Sequence, residues 1–251
     1  MDLTEFERIK DKNKYNRHPW EISRRDVLFR LLHSSKIKFP VKRIVDIGGG
    51  DAFIINEIFK QNLAEEYVTI DTAYSPEIIS QLKNNYETNS IHYFQHLTEY
   101  FTAFSSEENV LFLCMDVLEH LEKEDEILKY LTHSNNHFLF AVPAFQSVFS
   151  AHDVLLGHYR RYTLKQLEHV LNQHDFQIQD KGYYFTSLLL VRWLESIFNK
   201  NKKASIDNWT GSAFKTKIIT TVLKMDFGCT HLLQKIGIRL YGLSCYCICK
   251  K

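Results

Sequence analysis

Several residues of this 251-residue chain have the types and the spacing that catalysis requires. Histidines, an aspartate, arginines and tyrosines follow one another closely after position 151. Because histidine titrates near neutral pH and can remove a hydroxyl proton, His152 and His158 are the candidate catalytic bases. Tyr159, Arg160 and Arg161 are the candidate substrate-binding residues, since a guanidinium can hold a carboxylate or a phosphate by two parallel hydrogen bonds.

The same run also has a structural interpretation. Arg160 or Arg161 would pair with an internal acid, and Tyr162 would pack in the core. Thr163 would cap the helix predicted at 164–172, because a threonine side chain can accept from the free N–H groups at a helix start. Both interpretations can hold together, and we expect Thr163 to be the N-cap in either case.

A second candidate site lies where an apolar strand leads into a glycine-rich turn. Its small and polar residues are Asp46, Gly48, Gly49, Gly50, Asp51 and Ala52. Glycines let a backbone approach a ligand closely, and the next helix directs N–H groups at that ligand. Phe53 stands where a dinucleotide fingerprint needs its third glycine, so that pattern fails. No Gly-Lys-Ser/Thr follows, which argues against a phosphate-binding loop.

Strands and helices alternate along the chain in the way that would position these residues. The predicted strands are 42–47, 66–71, 91–94, 110–116, 137–143, 176–185 and 242–250, and the main helices between them are 51–62, 76–85, 119–131 and 164–172. This alternation predicts an α/β fold, a doubly wound and mostly parallel sheet of seven strands. We expect the last strand to be antiparallel, because no regular crossover helix precedes it.

Other polar residues end the predicted strands, at the edge where open α/β sheets bind ligands. Asp71 ends the second strand, 25 residues after Asp46, where an acid can accept both ribose hydroxyls. Its alternative role is a turn or N-cap acid, because Thr72, Ser75 and Pro76 follow it. Gln95 and His96 follow the third strand, where the base of a nucleotide-like ligand would lie.

Four segments resemble class I S-adenosylmethionine-dependent methyltransferases. They are Asp46-x-Gly48-x-Gly50-x-Ala52, Asp116-Val117-Leu118-Glu119-His120-Leu121, the run from Pro143 to Thr163 with Gly157-His158-Tyr159-Arg160-Arg161-Tyr162, and His18-x-Trp20-x-x-x-Arg24-Arg25. The last two resemble a bacterial subgroup labelled type 11 or type 12. The resemblance covers about 15–185 and the final strand, and it departs at Ala52, where the family commonly has glycine.

The resemblance implies a Rossmann-like fold and S-adenosyl-L-methionine as the cofactor. The implied cofactor-binding residues are Asp46, Gly48, Gly49, Gly50, Asp71, Thr72, Gln95, His96, Asp116, Val117 and His120. His120 has two possible roles, a general base in the cleft or a residue that orients its helix, and we favour the second.

The resemblance and the strand pattern together divide the chain into three parts. Residues 1–40 would form a helical cap, and residues 41–185 with 242–251 the cofactor-binding methyltransferase domain. Residues 186–241 would form an apolar helical insertion that needs a partner surface. That surface is a lid over the active site, a second subunit or a membrane.

Charge and the placement of histidines and cysteines bear on nucleic-acid binding, metal binding and cellular compartment. A net charge of +1 gives no general attraction to nucleic acid. The histidines have no ligand-type spacing with carboxylates, so no metal site is predicted there. Cys245, Cys247 and Cys249 alternate along the last strand and are expected to be buried thiols, with a Cys-x-Cys-x-Cys metal site as the alternative. The charged N-terminus and the free thiols predict a cytoplasmic protein.

We therefore expect a methyltransferase that transfers a methyl group to a hydroxyl or amine of a small-molecule, glycan or lipid-linked acceptor. The expected partners are that acceptor and, through 186–241, a membrane surface or a second copy of the chain, with no nucleic acid. The alternative is a non-catalytic relative that binds the cofactor and acts as a regulatory or interaction protein.

Overall fold

The computed structural model describes residues 3–11, 16–104, 108–132, 135–198 and 209–251. One seven-stranded sheet runs through them in the order β3-β2-β1-β4-β5-β7-β6. Its strands are β1 Val41–Ile47, β2 Ala64–Ile70, β3 Ile91–Phe94, β4 Val110–Met115, β5 His137–Pro143, β6 Gln177–Tyr184 and β7 Ser244–Lys250. The first five are parallel, and β7 runs antiparallel between β5 and β6, so the predicted fold class is confirmed.

Ten α-helices are found in the described ranges. They are α1 Leu3–Lys10, α2 Pro19–Ser34, α3 Phe53–Phe59, α4 Pro76–Tyr86, α5 Leu97–Ala103, α6 Asp125–Leu128, α7 Ala151–Leu155, α8 Leu164–Gln173, α9 Thr186–Phe198 and α10 Ala213–Lys235. Short 3-10 turns add Leu118–His120 and Gln146–Val148. Within the predicted insertion, the basic polar stretch at 199–203 lies outside the described residues.

Side chains of the central strands alternate between two cores, one on each face of the sheet. In β4, for example, Leu111 and Leu113 belong to the core beneath α2, whereas Phe112 and Cys114 belong to the core beneath α8. Strands buried on both faces read as continuous apolar runs, which is why β1, β4 and β5 were visible in the sequence. Helix α10 packs its buried Leu223 and Phe227 on the α2 side of the sheet.

The three alternating cysteines of β7 are completely buried. Cys245, Cys247 and Cys249 share the core beneath α8, and each is a free thiol with 0% exposure. The period-2 expectation that they lie on one face is confirmed. Burial raises the pKa of all three thiols, so they pack as small apolar groups.

The predicted helix at 119–131 is wrong in its first half. The chain forms a 3-10 turn that ends at His120, extends at Leu121, and becomes helical again only at α6. The cause is the 159–162 segment, which uses the carbonyls that a continuing helix needs. The N–H of Tyr159 donates to the Glu119 carbonyl at 2.8 Å, and Arg160 donates to the Glu122 carbonyl at 2.6 Å.

Candidate active site

The candidate site lies where the direction of strand order reverses, between β1 and β4. Ligands bind at such switch points beyond the carboxyl ends of the strands. The glycine turn follows β1, and Asp116 follows β4. Gly48 has φ +75°, and a Cβ placed on it would lie 2.5 Å from Cγ2 of Val117. The two predicted segments therefore meet, and glycine is required at 48 by both its conformation and the close approach of Val117.

Asp71 holds the glycine turn in place. Its Oδ2 accepts from the Gly50 N–H at 3.0 Å, and its Oδ1 accepts from the Ala73 N–H at 2.9 Å. The side chain is 4% exposed. Asp71 thus fills the turn-bracing role that the sequence offered as the alternative. Each carboxylate oxygen has a second lone pair, so contact with ribose hydroxyls stays a prediction.

Two more acids line the same edge with one arginine between them. Arg24 of α2 forms an ion pair with Asp116, which has φ +56°. Burial raises the pKa of Asp46 to about 7, while Arg24 acts in the opposite direction. The predicted helix carrying Arg24 and Arg25 therefore does reach the ligand edge. Arg24 is a site residue that the sequence placed only in a covering helix.

Gln95 and His96, predicted near the base of the ligand, lie beyond β3, and Thr72, another predicted cofactor-binding residue, lies beyond β2. The Gln95 side-chain amide donates to the Thr72 carbonyl at 3.0 Å, which ties the two loops together. His96 is the N-cap residue of α5, and its N–H donates to Glu99 at 3.2 Å. These residues are exposed at the sheet edge, and their contacts with the cofactor stay a prediction.

An ion network fastens the N-terminal helices to the glycine turn. Asp51 of the turn accepts from Arg8 at 3.0 Å and from Arg17 at 2.6 Å. Glu21 of α2 accepts from the same two arginines, at 3.0 Å each. Arg17 also stacks on the ring of Phe53 at 3.7 Å. Sequence reasoning missed this network, because single arginines in an amphipathic segment give no signal of their partners.

The other side of the site is built on a buried aspartate from α7. Asp153 is 0% exposed, and its Oδ1 lies 3.0 Å from Nδ1 of His158 and 2.7 Å from Nε of Arg161. Burial acts to raise the pKa of Asp153, but the hydrogen bonds from His158 and Arg161 outweigh it and hold that pKa well below its usual value. Arg161 also donates to the Ala144 carbonyl. Asp153 therefore fixes the imidazole of His158.

Glu119 and His120 complete this group on the opposite side of His158. The rings of His120 and His158 meet edge to face, with centroids 4.6 Å apart. Glu119 is 0% exposed, and within the described part of the chain neither of its carboxylate oxygens has a hydrogen-bond partner. Burial raises the pKa of Glu119 to about 8. The sequence did not single out this carboxylate, although the family signature contains it.

The remaining predicted residues differ in their burial and in their partners. Arg160 donates to Glu124 at 2.9 Å, and Arg161 pairs with Asp153, so both arginines bind acids of the chain itself, as the structural interpretation expected. Tyr159 is 58% exposed at the rim. His152 is half-buried on α7 and is not one of the clustered residues. Of the two candidate bases, the structure brings only His158 to the group around Glu119.

Solved structures with the same fold are described chiefly as methyltransferases. A SAM-dependent methyltransferase from Archaeoglobus fulgidus is 17% identical, with a TM-score of 0.52 over 90% of this chain and 94% of the other. The O-MT region of StiE is 12% identical, with a TM-score of 0.52 over 90% and 74%. The [4+2]-cyclase SpnF is 11% identical, with a TM-score of 0.52 over 90% and 80%.

These similarities establish the class I methyltransferase fold, as the sequence resemblance implied. No protein-family model matches the chain, and no curated protein matches it either. The cyclase shows that one fold hosts different reactions, so the chemistry has to be argued from the residues of the site.

Proposed function

We propose that this protein is an S-adenosylmethionine-dependent methyltransferase acting on a hydroxyl or amine of its acceptor. The observation that carries the proposal is the meeting of the glycine turn and Asp116–His120 at the switch point. Asp71 braces the turn there through Gly50. That edge offers a closely approachable glycine turn and several acids to a nucleoside and an amino-acid moiety. The N-terminal helices, tied to Asp51, close over it.

The residues of the chain mainly position the reactants. S-adenosylmethionine supplies an electrophilic methyl group, so the protein has to bind it and align the acceptor with the sulfur–methyl bond. Asp46, Asp116 and Arg24 form a charged edge suited to the ammonium and carboxylate of a methionine moiety. The glycine turn and Asp71 suit the ribose.

His158 is the residue we assign to activation of the acceptor. When Asp153 accepts from Nδ1–H of His158, the other ring nitrogen presents a lone pair. His158 belongs to the group formed with Glu119 and His120. An acceptor oxygen bound there would be polarised as the methyl group arrives. His152 stays a second candidate, although it is not one of the clustered residues.

Calorimetric titration with S-adenosylmethionine tests the cofactor assignment. Wild-type protein should bind it, and Asp71→Ala should bind at least tenfold more weakly because the turn loses its brace. Asp125→Ala, an exposed acid on α6, is the matched control and should bind like wild type. Absence of binding by wild-type protein would remove the proposal, and leave the regulatory relative with another ligand as the better interpretation.

The exposed apolar surface of residues 186–241 adds a second part to this proposal. It favours an acceptor that lies at a membrane surface. Helix α9 has no buried residue, and six of its large apolar side chains are at least 40% exposed. On α10 an exposed apolar stripe repeats every three or four residues. It consists of Phe214, Ile218, Val222, Met225, Cys229, Leu232 and Ile236. This spacing places all seven on one face of the helix, opposite Leu223 and Phe227.

Charge favours anionic lipid over a second copy of the chain. Residues 186–241 contain nine lysines and arginines and three acids. By helical spacing, Lys217 and Lys235 border one side of the α10 stripe and Lys215 the other. An isologous dimer through this stripe would bring rows of lysines together, whereas anionic headgroups would neutralise them. No helix among the described residues is long and apolar enough to cross a bilayer.

Vesicle co-sedimentation tests this surface. Wild-type protein should pellet with phosphatidylglycerol-containing vesicles and much less with pure phosphatidylcholine. Ile218→Ser with Met225→Ser should abolish pelleting, and Lys217→Glu should reduce it severalfold. Lys165→Glu, on α8 across the sheet, is the control and should behave as wild type. A protein that ignores vesicles but sediments as a dimer, and becomes monomeric with the serine variants, would show a subunit interface instead.

A further inference from the structure

The least explained group in the molecule is the carboxylate of Glu119. A buried carboxylate normally has hydrogen bonds or a counter-charge, because desolvation of an ionised group is expensive. Neither oxygen of Glu119 has a hydrogen-bond partner among the described residues. The two arginines whose charges reach it are committed elsewhere, Arg24 to Asp116 and Arg161 to Asp153. A cation bound here would coordinate these oxygens and favour the ionised form of Glu119.

Two imidazoles stand beside that carboxylate. One ligand atom each of Glu119, His120 and His158 lies within 4.8 Å of the other two. Their burial differs in a useful way, since Glu119 is buried, His158 is half-buried and His120 is exposed. The group is therefore closed at Glu119 and open to solvent at His120. Catalytic metal sites have this arrangement of three protein ligands and one open position.

We propose that Glu119, His120 and His158 bind a divalent transition-metal ion. Two imidazoles with one carboxylate suit Zn²⁺, Fe²⁺, Mn²⁺ or Co²⁺ better than Mg²⁺ or Ca²⁺, which prefer oxygen ligands. Bonds of about 2.1 Å in a tetrahedral site would hold the three ligand atoms about 3.4 Å apart. The ligand atoms lie within 4.8 Å of one another and would therefore approach by at most about 1.4 Å on binding, and the exposed His120 is the residue most able to move.

Asp153 supplies the support that a metal-binding histidine needs. A histidine ligand almost always donates its other ring N–H to a carboxylate or carbonyl, which fixes its tautomer and orientation. Nδ1 of His158 lies 3.0 Å from Oδ1 of Asp153, which Arg161 holds from the other side. Asp153 is a positioning residue in this scheme. The sequence predicted no metal site, because Asp153, His158 and Glu119 are brought together only by the fold.

The metal site itself does not depend on the proposed function. Only the role given to the metal, activation of the methyl acceptor, rests on that proposal. An acceptor hydroxyl bound at the open position would lose its proton to solvent more readily, since a divalent ion would stabilise the oxyanion. The oxygen would then form its bond to the methyl group as the carbon–sulfur bond of the sulfonium breaks and leaves a neutral thioether. His158 then activates the acceptor as a metal ligand. The site itself can be tested without an acceptor and without measuring methyl transfer.

Cobalt titration of chelator-treated protein is the test. Wild-type protein should bind one Co²⁺ and develop the visible d–d absorption of a low-coordinate nitrogen and oxygen site. Glu119→Gln and His158→Asn should bind at least tenfold more weakly, and Asp153→Asn about tenfold or more, the usual effect of losing such a supporting carboxylate. His169→Asn, an exposed histidine on α8, is the matched control and should titrate as wild type.

Three results would overturn the metal site. They are no cobalt binding by wild-type protein, equal loss in His169→Asn, and a sulfur-to-cobalt charge-transfer band that disappears in Cys229→Ser, the exposed thiol. Glu119→Gln keeps the volume of the buried side chain and removes its charge, so it is expected to fold, and S-adenosylmethionine titration verifies this. Protein that binds S-adenosylmethionine but no cobalt overturns this inference and leaves the proposed function intact.

Discussion

The candidate site has two sides, the proposed cofactor side around the glycine turn and the proposed acceptor side around Asp153, and they are constructed differently. On the cofactor side, backbone groups of the glycine turn are held by one carboxylate, Asp71, and by strand hydrogen bonds such as Gly48 N–H to the Ile70 carbonyl at 2.8 Å. On the acceptor side, side chains from two separate loops are held by a buried ion pair between Asp153 and Arg161. We infer that the first side is sensitive to added volume and the second to lost charge.

The largest effect is expected from volume at the glycine turn. Gly48→Ala should lower the free energy of unfolding by about 3 to 4 kcal/mol, because a left-handed residue gains a Cβ against Val117. It should also weaken S-adenosylmethionine binding more than about a hundredfold, as the turn must move. Calorimetry and urea unfolding measure both quantities.

Gly157→Ala separates the cost of the left-handed conformation from the cost of the close contact. Gly157 has φ +77°, nearly that of Gly48, but a Cβ placed there meets nothing within 4 Å. We expect it to cost about 1 kcal/mol, the conformational part alone. If both variants cost the same, the close approach of Val117 has no energetic weight and the description of the cofactor side is wrong.

Lost charge should dominate on the acceptor side. Arg161→Met should lower the free energy of unfolding by about 3 kcal/mol, because Asp153 stays buried with one partner fewer. The neighbouring Arg160→Met removes a partly exposed pair with Glu124 and should cost at most about 1 kcal/mol. Urea unfolding at pH 7 measures both. Arg161→Met should leave S-adenosylmethionine affinity nearly unchanged, because the cofactor side is held by other contacts. A large loss of that affinity would contradict this separation of the two sides.

Asp46 allows a test of charge on the cofactor side. Its pKa in the folded protein is about 7, against about 3.9 unfolded, because burial disfavours the charged form. The folded state therefore holds the proton more tightly, and this contribution to stability is complete below pH 4 and is lost as the pH rises through 7. Asp46→Asn should match wild type near pH 4 and exceed it by on the order of 2 kcal/mol at pH 8.

Measuring Asp46→Asn without cofactor across pH 4 to 8 checks that sign. Glu65→Gln, an exposed acid of β2 that is paired with a lysine, is the control and should give a flat difference from wild type over this range. A constant difference for Asp46→Asn would mean that Arg24 already keeps the Asp46 carboxylate charged.

The sequence predicted the strands and the turns of the cofactor side for a physical reason. Strands β1 and β4 are buried on both faces, so their apolar runs, and the polar residues that end them, are visible without any knowledge of long-range contacts. The spacing of Asp46, Gly48 and Gly50 is local as well. Ala52 is an exception, since it has φ +59° where the family commonly has glycine.

The acceptor side could not be derived in this way. Glu119 and His158 are 39 positions apart, and no periodicity links them. The contact between 159–162 and 118–122 also ended the helix predicted at 119–131, because tertiary hydrogen bonds took its carbonyls. Arg160 and Arg161 have the same side chain, and only their partners, Glu124 and Asp153, distinguish an exposed pair from a buried one.

The smallest effect is expected where sequence and structure agree most closely. Thr163 caps α8, accepting from the Gln166 N–H at 3.3 Å, while Gln166 accepts from the Thr163 N–H at 2.7 Å. Thr163→Ala should lower the free energy of unfolding by about 1 kcal/mol, the usual value of such a cap. Thr221→Ala, at an exposed position inside α10, should be neutral or slightly stabilising, since alanine is the better helix former. A much larger cost for Thr163→Ala would mean that α8 depends on its start to hold Arg161 and Tyr162. The acceptor side would then be coupled to a local cap as well as to its buried charges.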